Sequence, residues 1–204
     1  VSTSPNGSGH NTKPSDQHGQ GRTDLSRFNN DWFDEGASKF KWALWFLFNA
    51  AFVYNPWNPF SGLRKAVLRL FGAKIGKGVI VKPRVQVKFP WNLEIGDHCW
   101  IGEAAWIENQ GKVTIGNHCC LSQGATIMTG NHNYKKATFD LIVQDVVLED
   151  GVWIGSNAMV TQGVRCGSHA VLGVQSVASK DLEPYTIYGG SPCQALRKRD
   201  LAPD

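Results

Sequence analysis

The stretch IGKGVIVKPRVQVKFPWNLEIGDHCWIGEAAWIENQGKVTIGNHCCLSQGATI, Ile75–Ile127, decides the fold. Its aliphatic residues recur neither at every second position nor every 3.6, but at every sixth: Ile75, Val81 and Val87, then Ile95, Ile101 and Ile107, then Ile115, Leu121 and Ile127. Beyond a break the same beat resumes at Leu148, Ile154, Val160, Cys166, Leu172 and Ala178. Glycine often follows directly, as at Gly76, Gly96, Gly116, Gly155 and Gly167, and a small or β-branched residue often sits four places on, as at Val79, Cys99, Ala105, Cys119 and Ala158. Self-similarity at a fixed period outranks local propensity. It predicts a coil with three short flat sides, in which the first residue of each six points inward, a turn residue follows, and a small inward residue lets the corner close. Stacked coils lie ~4.8 Å apart and bond along the axis, and each buries its apolar face only against a neighbour.

Two steps of eight residues, Val87 to Ile95 and Ile107 to Ile115, predict two-residue bulges at corners. The larger break between Ile127 and Leu148 carries Gly130-Asn131-His132-Asn133-Tyr134-Lys135-Lys136, a loop thrust out of the regular body. Loops on rigid scaffolds are where chemistry tends to sit. His98, His118 and His169 fall at the fourth place of a six, a corner position, so His98 and His118 should stack one coil apart. Cys99 and Cys119 read as inward small residues, and Cys166 as a replacement for an inward aliphatic.

Outside the repeats the chain changes character twice. Residues 1–23 are almost devoid of aliphatics and read as a flexible tail, with no apolar region of the kind a secretory signal carries. Residues 24–72 read as a helical segment. Its apolar run Trp42–Tyr54 is thirteen residues, short of the ~20 that a bilayer span needs. Pro56 and Pro59 break it, and Ser61 is placed to cap a second helix over Gly62–Phe71 with Arg64, Lys65 and Arg69 on its polar side. Two roles fit this segment: a cap packed on the coils or a neighbouring subunit, or a contact with an anionic lipid surface. Residues 73–199 form the coiled domain. The whole chain has 204 residues, 42% hydrophobic and 19% charged, with 22 glycines, five cysteines and a net charge of +4. That balance fits a globular protein and excludes collagen-like chains, disulfide knots and membrane bundles. The charge is too small to call for nucleic acid.

With its repeats and loop, residues 61–199 resemble the hexapeptide-repeat acyltransferases, in particular the maltose and galactoside O-acetyltransferases and, more closely, those of colanic-acid and other exopolysaccharide pathways. The resemblance rests on LFGAKIG (Leu70–Gly76), the TGNHNY loop (Thr129–Tyr134), VWIGSNAMV (Val152–Val160), SVASKDL (Ser176–Leu182) and YGGSPCQALRKR (Tyr188–Arg199). It implies a mainly β fold, a left-handed parallel β-helix with N-terminal helices and a protruding loop. It also implies transfer of an acetyl group from acetyl-CoA to a sugar hydroxyl of a glycan, with no metal. His132 matches the loop histidine that serves as general base, work suited to an imidazole because it titrates near neutrality. Trp153, Ser156, Val174, Ser179, Lys180 and Arg197 match positions that contact coenzyme A, the two cations suiting its phosphates. Maltose-type enzymes carry an acidic residue about twenty positions before the histidine. Here Glu108-Asn109-Gln110 puts amides there, a pattern nearer the exopolysaccharide branch. It makes Asn109 the expected acceptor-binding residue, Glu108 a second candidate, and leaves the group that orients His132 open.

The resemblance further implies a homotrimer with sites between subunits, and the outward Trp100, Trp106 and Met159 are too apolar for three exposed faces. The expected location is the cytoplasm, including the inner face of the membrane. Two other function classes share such a scaffold. A γ-class carbonic anhydrase needs a histidine pair five residues apart, and His132 has Ile127 and Ala137 at those distances. A non-catalytic assembly subunit would need neither the loop histidine nor the coenzyme-like residues.

Overall fold

The computed structural model describes residues 21–202, and the expected tail lies outside the described residues up to position 20. From Lys74 onward the chain winds into a three-walled β-helix, and the six-residue beat is its register. On the first wall Ile75 pairs with Ile95, Ile95 with Ile115, Ile115 with Leu148 and Leu148 with Cys166, all parallel. The second wall stacks Val81, Ile101, Leu121, Ile154, Leu172 and Tyr188. The third stacks Val87, Ile107, Ile127, Val160 and Ala178. Nearly all of these side chains are buried in one continuous core together with the small corner residues Cys99, Ala105, Cys119, Ala125 and Ala158. Contact with the Cys99 thiol and burial push the Cys119 thiol up, and burial pushes Cys166 up, so both remain protonated.

The corners explain the histidines. His98 and His118 take the left-handed conformation, with φ of 55° and 56°, and their rings stack at 5.3 Å and 12°. At the same corner one coil earlier stands Gly78, also left-handed, where a Cβ would lie 2.3 Å from His98 Nδ1. A side chain there would displace the ring, so glycine begins the stack.

Successive first-wall residues are 20, 20, 33 and 18 positions apart, from Ile75 through Ile95, Ile115 and Leu148 to Cys166. The long interval holds the expected loop, which leaves the corner between the third and first walls. At the far end, strand Thr186–Gly189 folds back on Gln194–Lys198 and closes the second wall.

The helical segment sits at the other end. Ser38 caps helix α1, Lys39–Phe48, by accepting from the Lys41 N–H, and a π-helical turn Asn49–Val53 continues it. Trp45 anchors α1: its indole donates to the carbonyls of Lys88 at 2.9 Å and Val87 at 3.2 Å, and its ring packs on Phe71. Burial of the apolar run is only partial, for Trp45 and Val53 are buried while Trp42, Phe46, Leu47 and Tyr54 stay exposed. Helix α2 is Ser61–Leu70, which corrects two expectations. Ser61 is its first residue and not its cap, because its hydroxyl accepts from the Val81 N–H and ties the helix to the second wall. Arg64 is not on a polar face: it is fully buried and donates to the main-chain carbonyls of Val53, Asn55 and Asn58, giving the connection between the helices its shape.

Candidate active site

His132 ends a short strand, Gly130–His132, that pairs antiparallel with Leu141–Val143 and makes the protruding loop a hairpin. Its Nδ1 lies 2.9 Å from the main-chain carbonyl of Phe139. A carbonyl oxygen only accepts, so Nδ1 carries the proton and the Nε2 lone pair is left to take one. The imidazole stacks on Phe139 at 4.4 Å and 8°, and Phe28 packs on it at 5.6 Å. Phe28 is brought there by the chain before α1, whose Asp24 N–H bonds the Ala137 carbonyl of the loop. Within the loop, Lys136 pairs with Asp140 at 2.7 Å. The hydrogen bond from Lys136, with a second from Thr138, holds the Asp140 carboxyl below the usual carboxylate range. The group that orients His132 is therefore backbone, which no side-chain pattern encodes. Nothing in the residue pattern marks its ring partner Phe28, and Phe139 is signalled only as one of two aromatics, with Tyr134, in a largely polar loop.

The two acceptor candidates part company. Asn109 is fully buried, with its amide accepting from the Phe89 N–H at 3.0 Å and donating to the Phe89 carbonyl at 2.6 Å. It clamps two coils together at a bulge and presents no surface to an acceptor, which corrects that expectation. Glu108, beside it, pairs with Lys88 at 2.6 Å through Oε1, while its Oε2 is buried without a donor. That oxygen would lie 3.3 Å from a Cβ on Gly130, at the root of the His132 hairpin.

The coenzyme candidates form separate groups. Trp153 stands outward and half-exposed on the second wall, its indole donating to Ser122 Oγ at 2.9 Å. Ser156 and Val174 occupy the following corner on successive coils, joined by the Gln175 N–H to the Ser156 carbonyl. Ser179 and Lys180 line a cleft of about 390 Å³ with Tyr188, Cys193 and Gln194. They lie across the third wall from Ser156, on the edge that carries the His132 hairpin two coils earlier. Arg197 is exposed on the closing strand, opposite Ile187. One chain thus brings Ser179 and Lys180 together and keeps Trp153 and His132 on different sides of the prism.

No family profile matches the chain. Among individual proteins, WcaF of Escherichia coli K12, named for colanic acid biosynthesis and as an acetyltransferase, is 33% identical over 177 residues, 86% of this chain and 97% of that one. The chain belongs to the hexapeptide-repeat acetyltransferases. Galactoside O-acetyltransferase of Escherichia coli K12 is 26% identical over 66% of this chain and 68% of its own. Among solved structures, a hexapeptide-repeat acetyltransferase of Vibrio cholerae superposes with a TM-score of 0.71 at 28% identity, over 80% of this chain and 95% of that one. The same Vibrio protein with acetyl coenzyme A bound gives 0.70 at 26% identity, over 79% and 87%. As a member of this family the protein is an acetyl-CoA-dependent acetyltransferase on a left-handed β-helix. Among the described residues no three His, Cys, Asp or Glu side chains are grouped to hold a metal ion, and no helix is long and apolar enough to cross a membrane.

Proposed function

We propose that this acetyltransferase acts on a sugar hydroxyl of a glycan intermediate with His132 as general base. The observation that carries the reading is the bond between Nδ1 of His132 and the Phe139 carbonyl, which leaves Nε2 basic on an exposed loop. Nε2 takes the proton of the acceptor hydroxyl as its oxygen forms a bond to the acetyl carbonyl carbon; the carbon–sulfur bond breaks, and the imidazolium returns its proton to the departing thiolate. Acetyl-CoA brings an already activated thioester, so no covalent intermediate on the protein is needed. A main-chain N–H of a coil meets the oxyanion. Trp153, Ser156 and Val174 line the pantetheine arm, and Lys180 and Arg197 meet the phosphates, consistent with their exposure. The names of WcaF and of galactoside O-acetyltransferase support a glycan or sugar acceptor.

Because His132 and Trp153 lie on different sides of one prism, a complete site is best supplied by two chains, which supports a homotrimer with shared sites. The helical end supports a position at the inner face of the membrane. Trp57 is 90% exposed and Phe60 68% at the tip between the helices, Lys65 follows in the helix that starts there, and no acidic residue occurs between Glu35 and Glu94. Incubating the protein with acetyl-CoA and a panel of oligosaccharides, nucleotide sugars and lipid-linked glycans tests the reading. Acceptor-dependent thiol release, with an acetyl ester in the product, is expected. Acetylation of amines alone would refute it, and a monomeric mass in light scattering at full activity would refute the shared site.

A further inference from the structure

Phe139 lies in the left-handed region, with φ of 53°, a conformation that strains a bulky side chain. His98 and His118 share that conformation at coil corners, where stacked neighbours enforce it. Phe139 stands outside the coils, in the His132 hairpin, where its N–H bonds the Lys136 carbonyl at 3.1 Å. Strained residues persist only where their surroundings over-determine them, and they gather at active sites. Here the strained residue turns its carbonyl onto His132 Nδ1 and its ring onto the imidazole. The hairpin pairs only three residues on each side, and an isolated two-stranded ribbon is marginally stable. Support from outside the hairpin is needed to keep this geometry.

The chain before α1 supplies that support. Asp24 accepts from the Ser26 N–H at 3.2 Å and from the Ser26 hydroxyl, which tightens the turn Leu25–Arg27 and places Phe28 at its end. The Asp24 N–H bonds the Ala137 carbonyl at 2.8 Å, two residues before Phe139. The Phe28 ring meets the imidazole at 5.6 Å, tilted by 58°. Further along, Trp91 donates to the Glu35 carbonyl at 2.7 Å and Ser38 caps α1, so this strap is fastened to the body at its other end. We propose that Phe28 is a positioning residue for acetyl transfer: it keeps the imidazole on the Phe139 carbonyl, so that Nε2 stays the bare nitrogen. The role rests on the reading of His132 as general base. Without Phe28 the imidazole turns about its side-chain bonds and leaves the carbonyl. It then takes the Nε2–H tautomer that a free histidine side chain prefers, in which Nε2 has no lone pair for the acceptor proton. Misplacing a reacting group by about 1 Å can cost a hundredfold in rate.

Ring-nitrogen NMR on histidine-labelled full chain tests this without any acceptor, at about pH 8.5, above the usual imidazole range. The His132 signals are those lost in His132→Ala. Wild type should carry the proton on Nδ1 and leave Nε2 bare, whereas Phe28→Ala should spread the proton over both nitrogens. Phe28→Leu, which keeps an apolar cover, should restore the wild-type pattern. Leu25→Ala, on the same strap but 62% exposed, should not alter it. With the acceptor found in the glycan panel, kcat of Phe28→Ala should fall about ten- to a hundredfold, while KM for acetyl-CoA and Tm hold. Asp24→Ala loosens the turn and should move both readouts in the same direction by less. A wild-type ring spectrum in Phe28→Ala overturns the proposal, as does a rate loss that Leu25→Ala shares or that only follows a fall in Tm. A His132→Ala enzyme at the wild-type rate would instead remove the general-base reading itself.

Discussion

Replacing Trp45 tests whether α1 belongs to the body of the enzyme. Its indole is 3% exposed, packs against Phe71 at 5.2 Å, and donates to the carbonyls of Lys88 and Val87. Trp45→Ala removes the ring and leaves both carbonyls without this donor, a loss of about 3–5 kcal/mol for a buried tryptophan. For a chain of this size each kcal/mol moves the midpoint ~2–4 °C, so Tm should fall about 6–20 °C. Trp45→Phe keeps most of the packing and loses only the N–H, so its cost should be about 1–2 kcal/mol. Circular dichroism melts at fixed protein concentration read both, since assembly makes Tm depend on concentration. Equal losses in the two variants would mean that the indole bond carries the whole effect. A Trp45→Ala melt matching wild type would mean that α1 is not docked as described.

Other outcomes follow from the charges and the exposed surfaces. Glu94, Glu149 and Asp150 are all held below their ordinary values, chiefly by hydrogen bonds from Lys74, from Ser168 and from the Asn117 N–H respectively. Depressed values mean that this stability is present above the ordinary carboxylate range and lost as pH falls through the folded values. Tm should therefore hold steady above about pH 5 and drop below about pH 4, with a shallower acid limb in Glu149→Gln. Coenzyme A affinity, measured by calorimetry, should fall about ten- to a hundredfold in Lys180→Ala and in Arg197→Ala; unchanged affinity in both, and in Trp153→Ala, would mean the groove lies elsewhere. Trp57→Ser with Phe60→Ser should abolish co-sedimentation with phosphatidylserine vesicles at low salt and leave Tm unmoved, whereas a wild-type protein that never sediments removes the lipid contact.

The β-helix was legible almost residue by residue because its period is geometric: each aliphatic of the sixfold beat pairs with the next coil's, from Ile75–Ile95 through Val160–Ala178. The stacked corner histidines were legible for the same reason. Residues whose role depends on what crosses from another coil or element were not. Asn109 reads as an exposed polar residue, yet its partner is the Phe89 backbone twenty positions away. Arg64 reads as a surface cation, but carbonyls of the interhelical connection surround it. The Phe139 carbonyl that fixes the tautomer of His132 leaves no trace in residue types, because every residue has a carbonyl.

The most direct test of the central claim is acetyl transfer by His132→Ala, measured beside wild type with the same acceptor, and with acetyl-CoA binding followed by calorimetry. Loss of a general base should lower kcat about 10²–10⁴-fold. Acetyl-CoA affinity and Tm should hold, because the hairpin stands outside the coils and the expected coenzyme contacts lie elsewhere. A His132→Ala enzyme turning over at the wild-type rate would contradict the account.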